Sequence, residues 1–180
     1  RGWYSNCYIV SNAGAYGCEI GDVVKSVSAY SPTADETVTL KGENLLFSYR
    51  SSVFANSDML ILSAVLELIP SDRDIISAKM GMIRQRRASS QPLSYPSLGS
   101  VFKRVSGISA GQIIDECGLK GLKVGGAMVS PIHAGFIVNV GGATADDFCK
   151  LVNTIKDEVY KRRGICLEEE IKYISHSAAD

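Results

Sequence analysis

The stretch from Thr144 to Gly164 constrains the fold more than any other in the chain. Phe148, Leu151, Val152, Ile155 and Val159 recur at helical spacing and lie in one apolar stripe. Thr144 is a good N-cap, and Asp146 and Asp147 fall in the first turn, where aligned peptide dipoles favour anions. Lys161, Arg162 and Arg163 fill the last turn, and Gly164 ends it. A helix so patterned must cover something, and its neighbours supply it. Phe136 to Val140 reads as a buried strand turned by Gly141 and Gly142, and Leu119 to Val124 runs into a glycine bend at Gly125-Gly126-Ala127. Ser109 is placed to cap a shorter helix with Ile113 and Ile114 inward and Gly118 as its stop. Ile165 to Ile174 reads as a final strand. Its alternation sets Cys166, Glu168, Glu170 and Lys172 against Ile165, Leu167, Glu169, Ile171 and Tyr173. This half is α+β.

The first half is richer in strands. Val23 to Tyr30 and Thr37 to Leu40 flank a turn at Ser31-Pro32-Thr33-Ala34-Asp35 and predict a hairpin. Met59 to Ile69 is an apolar strand closed by Pro70. Ser77 to Arg87 is polar and basic and reads as a short helix leading into a Ser89-Ser90-Gln91-Pro92 linker, which puts a domain boundary near residue 80, between 1–80 and 81–180. Its end, Arg84-Gln85-Arg86-Arg87, is a solvated helix terminus or a phosphate contact.

Composition excludes several classes. Nineteen basic residues balance nineteen acidic ones, so no electrostatic footprint for nucleic acid or a membrane surface is present. The longest apolar run, Met59 to Leu62, is far too short to cross a bilayer. Five scattered cysteines with no signal-peptide pattern predict reduced thiols in the cytoplasm. His133 and His176 are far apart and lack partners, so no metal site is expected. The chain opens on Arg1 and reads as a fragment or a processed product.

Four places carry chemistry. In Pro96-Ser97-Leu98-Gly99-Ser100-Val101-Phe102-Lys103 a hydroxyl follows a glycine and precedes an apolar pair. Ser100 so placed could donate a proton, act as a nucleophile or cap a turn. Arg50, among aromatics and hydroxyls on a strand end, could clamp a carboxylate with its planar fork or lie on the surface. Asn12-Ala13-Gly14-Ala15-Tyr16-Gly17 suits close approach of backbone to a ligand, or is a plain tight turn. Glu168 and Glu170 on one face serve solubility, or in a cleft would crowd each other so that one holds a proton.

In this order the motifs resemble the UDP-N-acetylenolpyruvoylglucosamine reductase family, the flavoenzymes called MurB. The matching stretches are Asn12 to Gly17, a Tyr49-Arg50-x-Ser52-x-Phe54 strand, Gln91 to Lys103, Ala110 to Ile114 with Cys117 to Gly121, Gly125-Gly126-Ala127, His133 to Asn139, Ala143 to Asp147, and Leu167-x-x-Glu170-Ile171. The resemblance implies the C-terminal part of an FAD-binding α+β region followed by a smaller α+β substrate-binding domain. It also implies NADPH-dependent, FAD-mediated reduction of UDP-N-acetylglucosamine enolpyruvate to UDP-N-acetylmuramate for peptidoglycan. Carried over residue by residue, it makes Ser100 the proton donor and sets Arg50 and Glu170 at the other two catalytic positions. It puts Asn12, Gly14 and Tyr16 at the cofactor, and Tyr16, Arg50, Lys103 and Arg104 at the substrate.

The pattern departs from the family at several points. Arg1 to Ser11 lacks the usual glycine-rich run, and Val105 stands where proline is usual. The N-terminal part of the FAD region, with its pyrophosphate loop, is not in the sequence. Arg104 and the short stretch between Arg50 and Ser100 match the branch without the extra substrate-covering loop. The reading therefore has an alternative: a truncated, non-catalytic UDP-sugar-binding domain that holds no flavin. An unrelated hydrolase with Ser100 as nucleophile is disfavoured, because Gly99-Ser100 lacks the flanking glycines of a nucleophile elbow.

Overall fold

A computed structural model describes residues 3–173, in two units that part between Asp72 and Arg73. The first begins with α1 (Trp3–Val10), which runs into a hairpin of β1 (Gly14–Ala15) and β2 (Cys18–Glu19). Tyr16 and Gly17 turn that hairpin at φ 56° and 82°. A two-residue turn matching strand twist needs both central residues left-handed, which explains the glycine. Then come β3 (Val24–Ser31), β4 (Glu36–Lys41) and β5 (Leu60–Leu66), an antiparallel sheet in the order β4-β3-β5. The hairpin expected from the sequence is there, and the apolar strand read from Met59 to Ile69 pairs only over β5. On β3, Val24, Val27 and Ala29 turn inward and pack with Ile9, Leu45, Phe54 and Ile61.

The segment around Arg50 corrects the sequence reading, because it is a turn and not a strand. Ser48 and Ser51 exchange two N–H···O bonds of 3.1 Å around Tyr49 and Arg50. Arg50 lies at φ 54°, which no strand residue adopts.

The second unit opens with α2 (Arg73–Ser90), longer at both ends than Ser77 to Arg87 and without a buried side chain. The boundary drawn near residue 80 falls inside this helix, which belongs whole to the second unit. It continues through β6 (Ser97–Ser100), α3 (Ala110–Glu116), β7 (Lys123–Val124), β8 (Ala127–Val129), β9 (Phe136–Asn139) and α4 (Ala145–Arg163). The sheet is antiparallel in the order β6-β9-β8-β7. Helices and antiparallel sheets make the chain α+β.

The α4 stripe does what its spacing requires. Leu151, Val152, Ile155 and Val159 are fully buried against Ile113, Ile114, Val101, Val129 and Leu167. Burying a side chain of this size contributes about 1.5–3 kcal/mol. The Asp147 amide donates to Thr144 Oγ1 at 3.1 Å and the Thr144 amide to Asp147 Oδ2 at 3.0 Å, a reciprocal cap. The same Asp147 oxygen accepts from the Gly126 amide at 3.3 Å, so the cap also pins the β7–β8 bend. Ser109 holds the N-cap position of α3, but its side chain makes no capping bond.

The final strand is the second correction. From Ile165 to Tyr173 the chain is irregular apart from one antiparallel bridge, Glu169 to Phe102. The Lys103 amide donates to Glu168 O and the Glu170 amide to Val101 O, both at 2.8 Å. Val101 to Lys103 offers only this short edge before Val105 turns back to pair with Ile108, so a longer ladder has no partner. The alternation holds only at Leu167, buried, and Glu168, exposed; Glu169 and Glu170 are both half-buried and Tyr173 is exposed. Ile174, like Arg1, lies outside the described residues.

Gly126 carries a prediction of its own. A Cβ there would lie 2.3 Å from the Ala143 amide nitrogen and 2.4 Å from Gly141 O, both backbone atoms. Gly126→Ala is expected to cost on the order of 2–4 kcal/mol, because backbone must shift and the Asp147 bond with it. Chemical denaturation measures that loss directly, and an unchanged midpoint would mean the bend relaxes freely.

Candidate active site

The candidate residues divide between the units: Asn12, Gly14, Tyr16 and Arg50 lie in the first, Ser100, Lys103, Arg104 and Glu170 in the second. In the first unit the organising residue is Asn12. It is buried at 2% exposure and left-handed at φ 42°. Its side-chain amide donates to Glu19 Oε2 at 2.6 Å and Ser48 O at 3.1 Å, while its Oδ1 accepts from the Gly21 amide at 2.9 Å. Asn12 therefore ties the β1–β2 hairpin to the turn that carries Arg50. Its polar atoms are spent on protein partners. A Cβ on Gly14 would lie 2.8 Å from Glu19 Cγ, so that glycine is required by packing. Tyr16 stands at the hairpin tip, 42% exposed, and is the member of this trio open to a ligand. The Arg50 guanidinium lies 5.2 Å from the Tyr49 ring centroid, a cation–π contact that orients it.

In the second unit the short bridge just described brings the backbone segments of two candidates side by side. Ser100 is the last residue of β6, opposite Phe136 of β9. A bulge precedes it, with Gly99 at φ 84°, a conformation open to glycine at no cost. Val101, next to Ser100, accepts the Glu170 amide and donates its own to Gly135 O at 3.0 Å. The serine and the glutamate thus sit on neighbouring backbone positions although seventy residues apart in sequence. Lys103 forms a close ion pair with Glu168. Arg104 is exposed and donates to Gly107 O at 3.2 Å.

Sequence reasoning missed three features here. The first is a cavity of about 370 Å³, whose walls include Leu98, Val138, Phe148 and Ile171, the last adjoining Glu170. The second is a latch beside it. Glu169 accepts from Lys156 at 2.9 Å and from Tyr173 at 2.7 Å, holding the irregular tail on α4. Burial works against the ionised Glu169, but those two hydrogen bonds outweigh it and keep its carboxyl below the usual range. Burial and then the Glu169 contact push the Tyr173 phenol up.

The third is His133. Its Nδ1 accepts from the Gly135 amide at 3.0 Å, which leaves the ring proton on Nε2. The ring meets Phe136 edge-on at 5.0 Å and lies over Gly111, where a Cβ would come within 2.7 Å. Burial, aided by nearby Lys120, lowers the His133 pKa below its ordinary value. The sign follows: the native state favours the neutral ring, so its contribution is complete above the ordinary value and is lost as pH falls below it. The melting temperature is expected to drop between about pH 7 and pH 5, and His133→Gln to flatten that part of the profile. A profile unchanged by the substitution would assign the drop to other groups.

Comparison with known proteins gives these motifs a common origin. Residues 91–174 match the family described as UDP-N-acetylenolpyruvoylglucosamine reductase, C-terminal domain. The UDP-N-acetylenolpyruvoylglucosamine reductase of Syntrophomonas wolfei is 43% identical over 166 residues, 92% of this chain and 55% of that protein. The chain belongs to the UDP-N-acetylenolpyruvoylglucosamine reductase family. Another reductase of this family, from Listeria welshimeri, is 45% identical over 163 residues, 91% of this chain and 54% of that protein. The crystal structure of the Thermus caldophilus reductase superposes with a TM-score of 0.81 at 33% identity, covering 92% of this chain and 58% of that one. The chain spans about half the length of the curated reductases it matches. Among the described residues no cluster of His, Cys, Asp and Glu could hold a metal ion, and no helix is long and apolar enough to cross a membrane. None of the five cysteines is in a disulfide.

Proposed function

We propose that the polypeptide carrying this chain reduces the enolpyruvyl ether of UDP-N-acetylglucosamine enolpyruvate to the lactyl ether of UDP-N-acetylmuramate, in the cytoplasm, as a step of peptidoglycan synthesis. The observation that supports the reading is the bond from the Glu170 amide to Val101 O, which holds the backbone that carries Glu170 against the residue next to Ser100. Family membership and about 43% identity over most of the chain support it. FAD, reduced by NADPH, would supply the hydride.

The chain's own residues supply the rest. Addition of hydride at the terminal carbon of the enolpyruvyl group drives charge onto the substrate carboxylate. A guanidinium such as Arg50 meets both oxygens of that carboxylate at once, and a carboxyl group such as Glu170 stabilises the same growing charge. Ser100 then gives a proton to the remaining carbon. Lys103 and Arg104, cations directly after Phe102, suit the diphosphate of the nucleotide sugar, and the family resemblance assigns Tyr16 to the substrate as well. The fit of the first unit to FAD is partial. Asn12 and Gly14 shape the hairpin through protein contacts, which leaves Tyr16 and the hairpin backbone to touch the cofactor.

The test joins this chain to the N-terminal portion of a full-length relative and follows NADPH consumption. Consumption is expected with the enolpyruvyl substrate and not with UDP-N-acetylglucosamine, which lacks the double bond. A folded fusion that binds the UDP-sugar but holds no flavin and consumes no NADPH would favour the alternative, a non-catalytic UDP-sugar-binding domain.

A further inference from the structure

The tail after α4 is held lightly for a segment that carries Glu170. Among the described residues its backbone makes only the two bonds of the Phe102–Glu169 bridge, and so short a pairing is marginal by itself. Leu167 is buried in the core, but Ile171, Lys172 and Tyr173 help to wall the cavity of about 370 Å³, so beyond Glu170 the tail borders a hollow. A group in a catalytic constellation has to be held to within about 0.5 Å, which needs further support from its neighbours. Glu169 provides it. Both oxygens of its carboxylate are engaged, Oε1 by the Lys156 ammonium at 2.9 Å and Oε2 by the Tyr173 hydroxyl at 2.7 Å. Lys156 lies on α4 between Ile155 and Val159, both fully buried, so its own backbone is fixed. The Lys156 and Glu169 side chains are 38% and 19% exposed, against 63% and 70% for the Lys150–Asp146 pair on the same helix. Fully exposed ion pairs contribute little, whereas one partly withdrawn from water is screened less and fixes geometry.

We infer that Lys156 and Tyr173 are positioning residues, which clamp Glu169 and so hold the adjoining Glu170 against Val101, next to Ser100. Tyr173 follows Glu169 by four residues, so its bond closes a loop that contains Glu170. The Glu170 amide, bonded to Val101 O, fastens that loop to the residue after Ser100. Lys156 and Tyr173 act through Glu169 and the backbone, and the chemistry stays with Glu170. The inference rests on the reading above, in which Glu170 serves the reduction. Its rival is a plain brace between α4 and the tail, which would affect stability and leave the reaction alone.

Two measurements test it. The first is amide hydrogen exchange, in this chain and in its fusion to the N-terminal portion of a relative, and needs no turnover. Lys156→Met and Tyr173→Phe are expected to speed exchange of the Glu170 and Lys103 amides roughly 10-fold, with α4 amides unchanged as the folding control. Lys156→Arg, which keeps the cation, should restore most of the protection. Unchanged exchange at Glu170 in Lys156→Met overturns the inference. The second is single-turnover oxidation of reduced flavin by the enolpyruvyl substrate in the fusion. Lys156→Met is expected to slow it by about 10–10²-fold, the scale for a small misplacement, while flavin reduction by NADPH is unchanged. In a Glu170→Gln background the same change should slow it no further, because the group that Lys156 positions is already lost. Equal slowing in both backgrounds, or none in either, overturns the inference. A fusion that shows the expected exchange but never turns over contradicts the proposed reaction and leaves the clamp on Glu170 supported.

Discussion

Ser100→Ala is expected to slow reoxidation of reduced flavin by the enolpyruvyl substrate by about 10²–10⁴-fold, the range for loss of a general acid. Flavin reduction by NADPH needs no proton from Ser100 and should be unchanged. The fold should be nearly unaffected, because Ser100 is exposed at the end of β6 and the backbone bonds of Val101 do not depend on it. If Ser100 were only a turn residue, the same change would cost up to about 1 kcal/mol of stability and leave the rate alone. Ser100→Cys should fall between, since a thiol can still donate. Single-turnover oxidation of pre-reduced flavin, in the chain completed at its N-terminus, separates these cases. A near-native rate in the alanine variant would refute the assignment.

Arg50→Lys is expected to slow the same half-reaction by about 10²-fold, the scale for losing a donor to a developing anion. Lysine keeps the charge but cannot engage both carboxylate oxygens in one plane. The two residues tolerate the left-handed φ of 54° equally, so folding is a poor explanation for a loss of rate. The Tyr49 contact is worth about 0.5–1 kcal/mol at an exposed site and survives in weakened form. Stopped-flow rates decide it: slowing confined to the substrate step supports the role, and equal slowing of flavin reduction contradicts it.

How much of this was legible beforehand differs from place to place. The α4 helix could be read almost residue by residue, because its cap, stripe, charges and stop all point to one structure. The β3–β4 hairpin was equally plain. The turn at Tyr49-Arg50 was not, because the aromatic residues around it favour strands and nothing local announces that Arg50 adopts a positive φ. The tail from Ile165 alternates as a strand should, yet strand length is set by the partner, and Val101 to Lys103 is short. The site residues came as separate candidates. That the backbone at Glu170 lies against Val101, next to Ser100, depends on a hydrogen bond across about seventy residues, which no local pattern encodes. Asn12 was assigned to the cofactor by the family resemblance alone; its burial and its bonds to Glu19, Ser48 and Gly21, which no local pattern encodes, came only with the structure.

The central claim is that Ser100 and Glu170 act as one centre, and a double-mutant cycle in the substrate half-reaction tests it most directly. Ser100→Ala, Glu170→Gln and the double variant are compared by single-turnover flavin oxidation in the completed chain, with thermal melts as the control for folding. Groups acting on one transition state are not additive. The double variant is therefore expected to be about as slow as the slower single variant. A rate reduced by the full product of the two single effects would mean that the two residues act independently, and would contradict the account.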